Sequence, residues 1–384
     1  MKYYIIAGEA SGDLHASNLM RELKKRDPEA DFRVWGGDLM AAQGGTLVRH
    51  YRDTAYMGAW EVLMNLRSIF KNLHHCREDI LRYLPDVVIL VDYPGFNMRM
   101  AQFAHNQGFR VFYYISPKIW AWNRGRVRRI RKYVDKVFTI LPFETEFFAR
   151  YNVPVVYSGN PLLDAIHNRP LKEESRQQFL ERHHLPDLPI VAVLAGSRRQ
   201  EIDRLLPDML SMMEHFSDHQ FIIAGAPSFS EEDYASYMPS KGHVKVIFDE
   251  TYAILQNARA AMVTSGTATL EAALLDCPQV VCYKMWGGKF THFMARKVII
   301  QVPYISLVNL IVDRELVKEL FQKEMTRQNL KCELEALLFD GAVRETILTG
   351  YRELREIMGG PGSSEKTARL MLESLQNKGQ MSNK

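Results

Sequence analysis

The chain is organised by short, unbroken apolar segments, each followed by a helical period, in a pattern that stops once and then restarts. Residues 3–7, 31–35, 87–91, 110–115, 136–140 and 155–157 are rich in β-branched and aromatic side chains and mostly close on Gly, Pro or Asp. Helical periods fill the gaps, at 14–26, 60–73, 97–107 and 144–151. A sheet with one wet face alternates apolar and polar residues, so continuous runs predict strands covered on both faces, as in a parallel sheet. Strands alternating with helices predict βαβ units. Residues 167–189 carry Pro170, Pro186 and Pro189 around a charged helix near 173–182, and read as a linker. The pattern then resumes with strands at 190–194, 221–224, 244–248, 260–264 and 279–282 and helices at 202–215, 252–257 and 268–275. A helical tail spans 332–377, broken by Gly359-Gly360-Pro361-Gly362.

The expected architecture is α/β, with two Rossmann-like, doubly wound parallel-sheet domains at 1–168 and 169–384. The last helices, about 360–378, are expected to return to the first domain. A length of 384 residues suits two such cores. Ligands of these sheets bind outside the carboxyl ends of the strands, so a cleft shared by two such edges is the expected site.

Composition narrows the function. Cys76, Cys277, Cys282 and Cys332 form no CxxC pair and no metal spacing, which predicts buried free thiols in a reducing compartment. No run reaches the roughly 18–20 apolar residues of a membrane span, and the N-terminal apolar run is too short for a signal peptide. A cytoplasmic location is expected. A net charge of +4 is thin support for nucleic-acid binding, yet Arg124, Arg126, Arg128, Arg129, Arg131 and Lys132 crowd together just after Trp120 and Trp122. A solvated helix face is the plain alternative. The preferred reading is a patch of Trp120, Trp122, Arg126 and Arg129 facing anionic lipid, because Trp and Arg suit a headgroup boundary. Residues 285–298 have similar amphipathic character. His74-His75 and His183-His184 read as surface helix positions without a third ligand.

Four loops at predicted strand ends carry chemistry. Gly8-Glu9-Ala10-Ser11-Gly12-Asp13, with His15 just beyond, enters a helix but is neither GxGxxG nor a Walker A loop, so no dinucleotide or ATP is expected. Glu9, Asp13 and His15 form a candidate polar cluster there. Asp92 ends the 87–91 run before a Pro-Gly turn, where a carboxylate could take a proton from an acceptor hydroxyl; a turn-initiating Asp is the alternative. Gly196-Ser197-Arg198 leads into a helix and could hold a diphosphate through backbone N–H groups, the helix dipole and Arg198. Ser265, Gly266 and Thr267 offer further donors, and Glu271, one turn later, could accept from ribose hydroxyls. Helix capping is the alternative for both. No DxD motif occurs, so neither a metal nor another cofactor is expected.

Across these loops and beyond them, the chain resembles the lipid-A-disaccharide synthases over nearly its whole length. The resemblance rests on Ala7-Gly8-Glu9-Ala10-Ser11-Gly12-Asp13, Ser116-Pro117 with Trp120-Ala121-Trp122, Leu141-Pro142-Phe143-Glu144 and Gly196-Ser197-Arg198. It continues through Ser265-Gly266-Thr267-Ala268-Thr269-Leu270-Glu271, Tyr304-Ile305-Ser306-Leu307 with Asn309-Leu310, and 314–320 with Gln322. It implies a GT-B fold and an inverting, metal-independent transfer of a sugar from UDP-2,3-diacylglucosamine to 2,3-diacylglucosamine 1-phosphate (lipid X), peripherally on the inner face of the cytoplasmic membrane. It also implies that Gly196, Ser197, Arg198, Ser265, Gly266, Thr267, Glu271 and Asn309 surround UDP. The family often has a carboxylate where this chain has Gly95, which turns attention to Asp92 as the base, with Glu9 or His15 assisting. A homodimer that exchanges its last helix stays open. So do a UDP-N-acetylglucosamine 2-epimerase and a non-catalytic nucleotide-sugar binding protein.

Overall fold

Among the described residues every strand lies in one of two sheets, and every pairing within them is parallel. The computed structural model describes residues 1–53, 66–119, 124–239, 242–284 and 303–379. Two compact units result: Met1–Pro161 with Gly360–Lys384, and Leu162–Gly359.

The first unit holds β1 (Lys2–Ala7), β2 (Asp31–Gly36), β3 (Thr46–His50), β4 (Val87–Val91), β5 (Arg110–Tyr114), β6 (Lys136–Thr139) and β7 (Val155–Tyr157). They run in the order β3-β2-β1-β4-β5-β6-β7. Between them lie α1 (Ala10–Arg26), α2 (Asp38–Ala42), α3 (Leu66–Tyr83), α4 (Pro94–Asn106), α5 (Val127–Tyr133) and α6 (Pro142–Ala149). Alternate residues of one strand feed opposite cores, which is why the runs are unbroken. Ile5 and Ile89 pack with Leu19 and Met20 of α1, whereas Ile6 and Leu90 pack with Ile80 of α3, Met100 of α4 and Ile130 of α5.

In chain order, α7 (Pro161–His167) crosses the junction into the second unit, followed by α8 (Arg176–Arg182), β8 (Ile190–Leu194), α9 (Arg199–Leu210), β9 (Gln220–Gly225), α10 (Glu231–Ala235) and β10 (Val244–Phe248). Then come α11 (Thr251–Asn257), β11 (Ala258–Thr264), α12 (Thr267–Leu274), β12 (Gln279–Tyr283), α13 (Leu307–Val312), β13 (Glu319–Phe321), α14 (Arg327–Leu338) and α15 (Ala342–Met358). The sheet order is β10-β9-β8-β11-β12-β13. The last helix, α16 (Ser363–Gly379), packs on α1 of the first unit. Arg26 meets Glu365 at 2.8 Å and Lys136 Nζ donates to Ser374 Oγ at 2.9 Å.

The structure corrects several expectations. β3 and β13 are absent from the sequence reading: the first is a half-exposed edge strand, the second three residues inside a charged stretch. Residues 167–189 are not a bare linker, because α8 seats Phe179 and Leu180 in the second core beside Ile190 and Ile254. Cys332 is exposed, unlike the other three cysteines. His183 is largely buried, bonded to Glu250 at 3.1 Å and packed against Phe179. No helix among the described residues is long and apolar enough to cross a membrane.

Candidate functional site

Each sheet reverses its strand order at one place, between β1 and β4 in the first unit and between β8 and β11 in the second. Connections leave in opposite directions there and open a crevice at the carboxyl ends of the two strands. The loops after those four strands are the four nominated from the sequence.

In the first unit, Ala7 pairs with Val91, so the Gly8–Asp13 loop and the Asp92–Asn97 turn leave the sheet side by side. Asp92 and Tyr93 both adopt left-handed backbone, at φ +44° and +48°. That conformation costs an L residue about 1–2 kcal/mol, and such strain concentrates at functional sites. The turn is packed closely: a Cβ on Gly8 would lie 2.2 Å from the Tyr93 ring, so only glycine fits beneath it. Asp92 is half-buried, and burial, then the charge of Glu9, push its carboxyl up to about 6 against the pull of Lys118 and the Tyr93 N–H. Glu9 is exposed at the N-cap of α1. His15 is half-buried on α1 and is not among the groups that set the proton affinity of Asp92.

Asp13 does not join that cluster. It is buried and accepts from the backbone N–H groups of Gly37 (2.7 Å), Leu39 (3.1 Å) and Met40 (3.2 Å), capping the start of α2. Gly95 is exposed near the start of α4, with nothing within 4 Å of where its Cβ would stand. Its backbone does not demand glycine, so a side chain there would be accommodated.

In the second unit, Leu194 pairs with Val263, which sets the Gly196–Arg198 loop beside Ser265–Thr267. Gly196 has φ +112°, and a Cβ on it would lie 2.4 Å from Glu201 Oε2. That same oxygen accepts from Ser197 N at 3.1 Å. Arg199 is tied to Asp233 at 2.8 Å, whereas Arg198, the N-cap of α9, is exposed. Gly266, at φ +139°, caps α12, and Thr267 is exposed at its first turn. Glu271 is half-buried, and burial pushes its carboxyl up to about 7.

Asn309 is bonded within the fold. Its side chain is fully buried, donating to Val317 O (2.8 Å) and Glu319 Oε1 (2.9 Å) and accepting from Leu316 N (2.9 Å) and Val317 N (3.0 Å). Both ends of its amide are consumed within the fold. Glu319 is a hub that sequence reasoning did not nominate. Its carboxylate also accepts from Ile305 N, Ser306 N (both 2.9 Å) and Ser306 Oγ (2.7 Å), and Ser265 Oγ donates to Ile305 O at 3.3 Å. Asn309 and Glu319 therefore set the turn against which Ser265 rests. In the basic segment Arg126 and Arg129 are exposed, while Trp120, Trp122 and residues 285–298 lie outside the described residues.

The family model described as lipid-A-disaccharide synthetase matches residues 3–369. The chain belongs to the lipid-A-disaccharide synthase family. The lipid-A-disaccharide synthase of Myxococcus xanthus is 37% identical over 377 residues, covering 97% of each chain. That of Geobacter metallireducens is 37% identical over 380 residues, also 97% of each. Among solved structures, the UDP-GlcNAc 2-epimerase from Neisseria meningitidis superimposes with a TM-score of 0.69 at 14% identity, covering 97% of this chain and 100% of that one. The calicheamicin glycosyltransferase gives 0.57 at 16%, covering 97% and 98%. At such identities these two likenesses carry the two-domain Rossmann-like fold and no more. Membership of the lipid-A-disaccharide synthase family makes the chain an enzyme, a glycosyltransferase of lipid A biosynthesis.

Proposed function

We propose that this synthase transfers the diacylglucosaminyl group of UDP-2,3-diacylglucosamine to the 6-hydroxyl of lipid X. The donor C1–O bond to UDP breaks, a β-1′,6 bond forms, and the acceptor proton passes to Asp92. The observation that carries this reading is the strained, half-buried Asp92 at the first switch point, a carboxylate whose proton affinity suits a base near neutrality. Arg198 and the N-termini of α9 and α12 are assigned to the diphosphate, stabilising the charge of the departing nucleotide without a divalent ion. A diphosphate that takes the Ser197 N–H displaces the Glu201 carboxylate from it. Inversion follows if the acceptor 6-oxygen, losing its proton to Asp92, attacks C1 from the face opposite the leaving UDP, and the anomeric proton coupling of the product tests it. A β-linked disaccharide is expected, and an α-linked one would contradict the assignment of Asp92.

Glu271 is assigned to the ribose hydroxyls, from both of which its two oxygens accept only when it is ionised. Because its pKa in the free enzyme is raised to about 7, donor affinity is expected to weaken about tenfold as pH falls from 8 to 6. The intact UDP-sugar carries no proton that titrates in this range. Calorimetric titration with that donor at pH 6, 7 and 8 measures the effect, and Glu271→Gln should flatten it. A profile that stays equally steep in Glu271→Gln would remove the assignment.

We assign the exposed Arg126 and Arg129, with Trp120 and Trp122, to an anionic membrane surface on the cytoplasmic side. Charge reversal of both arginines is expected to reduce flotation with phosphatidylglycerol vesicles and leave micellar turnover intact. The oligomeric state, including exchange of α16 in a homodimer, is open to light scattering.

A further inference from the structure

Asp92 can act as a base only while its turn keeps a conformation that L residues avoid, so something must hold that turn. Two consecutive residues, Asp92 and Tyr93, have positive φ, a region that aspartate enters more readily than most L residues and tyrosine rarely does. Two buried donors converge on the carbonyl between them: Tyr113 Oη at 2.6 Å and Asn97 Nδ2 at 2.8 Å from Asp92 O. Asn97 Nδ2 also lies 3.1 Å from Val91 O and 3.3 Å from Ile6 O, gathering the ends of β4 and β1 on one amide. Its own N–H donates to Tyr93 O at 3.0 Å, and Asp92 N donates to Tyr114 O at 3.2 Å.

Neither side chain has exposed surface. Tyr113 points into an apolar core built from Leu90, Met100 and Ile130 among others, where a hydroxyl is costly unless it is bonded. Phenylalanine would fill the same space. The hydroxyl therefore serves the Asp92 carbonyl. Fixing that carbonyl fixes the peptide plane between Asp92 and Tyr93, and with it the direction of the Asp92 Cα–Cβ bond. Were the plane to rotate, Asp92 would relax toward extended backbone and carry its carboxylate away from the switch point.

We propose that Tyr113 and Asn97 are positioning residues of this enzyme, holding the left-handed Asp92–Tyr93 turn and so aiming the Asp92 carboxylate at the acceptor hydroxyl. The proposal rests on Asp92 being the base. The test uses the full-length enzyme with Tyr113→Phe, Asp92→Asn and the double variant. Tyr113→Phe should lower kcat roughly ten- to hundredfold with the donor Kd unchanged. The acidic limb of its rate profile should move down, toward ordinary carboxylate values, as the carboxylate gains solvent. In the Asp92→Asn background the same change should have no further effect, because Tyr113 acts through Asp92.

Normal kcat and an unmoved limb in Tyr113→Phe would overturn the proposal and leave the Asp92 assignment standing. An equal loss in both backgrounds would also overturn it, since the hydroxyl would then be acting on the fold at large. Full turnover in Asp92→Asn alone would overturn the base reading first. If Tyr113→Phe does not fold, Asn97→Ser measured the same way decides: a fall in kcat at constant donor Kd supports the proposal, and unchanged kcat ends it.

Discussion

Asp92→Asn is expected to lower kcat by about 10²–10⁴-fold, the usual contribution of a positioned general base. The substitution keeps size and shape, so donor affinity and melting temperature should stay near the parent values. The sign of the pH effect follows from the environment. Burial and the neighbouring charge of Glu9 raise the Asp92 pKa to about 6, and a base works only when unprotonated. Turnover should therefore climb as pH rises through about 6, where it is half-maximal, and level off about a unit above. Glu9→Gln removes a like charge and should shift that limb to lower pH. Stopped-time assays across pH 5–8 on the three proteins provide the check, and a limb unmoved in Glu9→Gln would detach Glu9 from the site.

Asn309→Ala is expected to cost about 2–4 kcal/mol of stability, because it strands several buried partners at once. Leu316 N, Val317 N, Val317 O and one oxygen of Glu319 all lose a hydrogen bond. The loss should appear as a lower urea midpoint in the second unit, accompanied by weaker donor binding as the Ile305–Ser306 turn loosens. An unchanged urea midpoint with weakened donor binding would return Asn309 to the direct nucleotide contact that the family resemblance suggested.

Most strands were legible because burial on both faces leaves an unbroken apolar run, whereas half-exposed β3 and three-residue β13 leave none. Val87, Val88, Ile89, Leu90 and Val91 all have no exposed surface, and a five-residue run so rich in β-branched residues and closed by Asp92-Tyr93-Pro94-Gly95 suits a covered parallel strand. Loops at strand ends could then be chosen by rule, and the topology sets four of them at the two switch points. What stayed hidden depends on partners distant in the chain. Asp13 reads as a polar loop residue, yet its partners lie 24 to 27 residues away at the N-cap and first turn of α2. Glu319 sits in a charged stretch that looks solvated, and its role appears only once β13 sets it beside Ser306 and Asn309. Tyr113 is hidden for the opposite reason: in an apolar run it counts as core, and its bonded hydroxyl, 2.6 Å from Asp92 O, separates it from phenylalanine.

Acceptor-dependent, metal-independent glycosyl transfer is read out by UDP release. The purified full-length enzyme would be given UDP-2,3-diacylglucosamine in detergent with EDTA, with and without lipid X. UDP release that requires lipid X and persists in EDTA is expected. Release that ignores lipid X, stops with chelation, or fails in folded protein would contradict it.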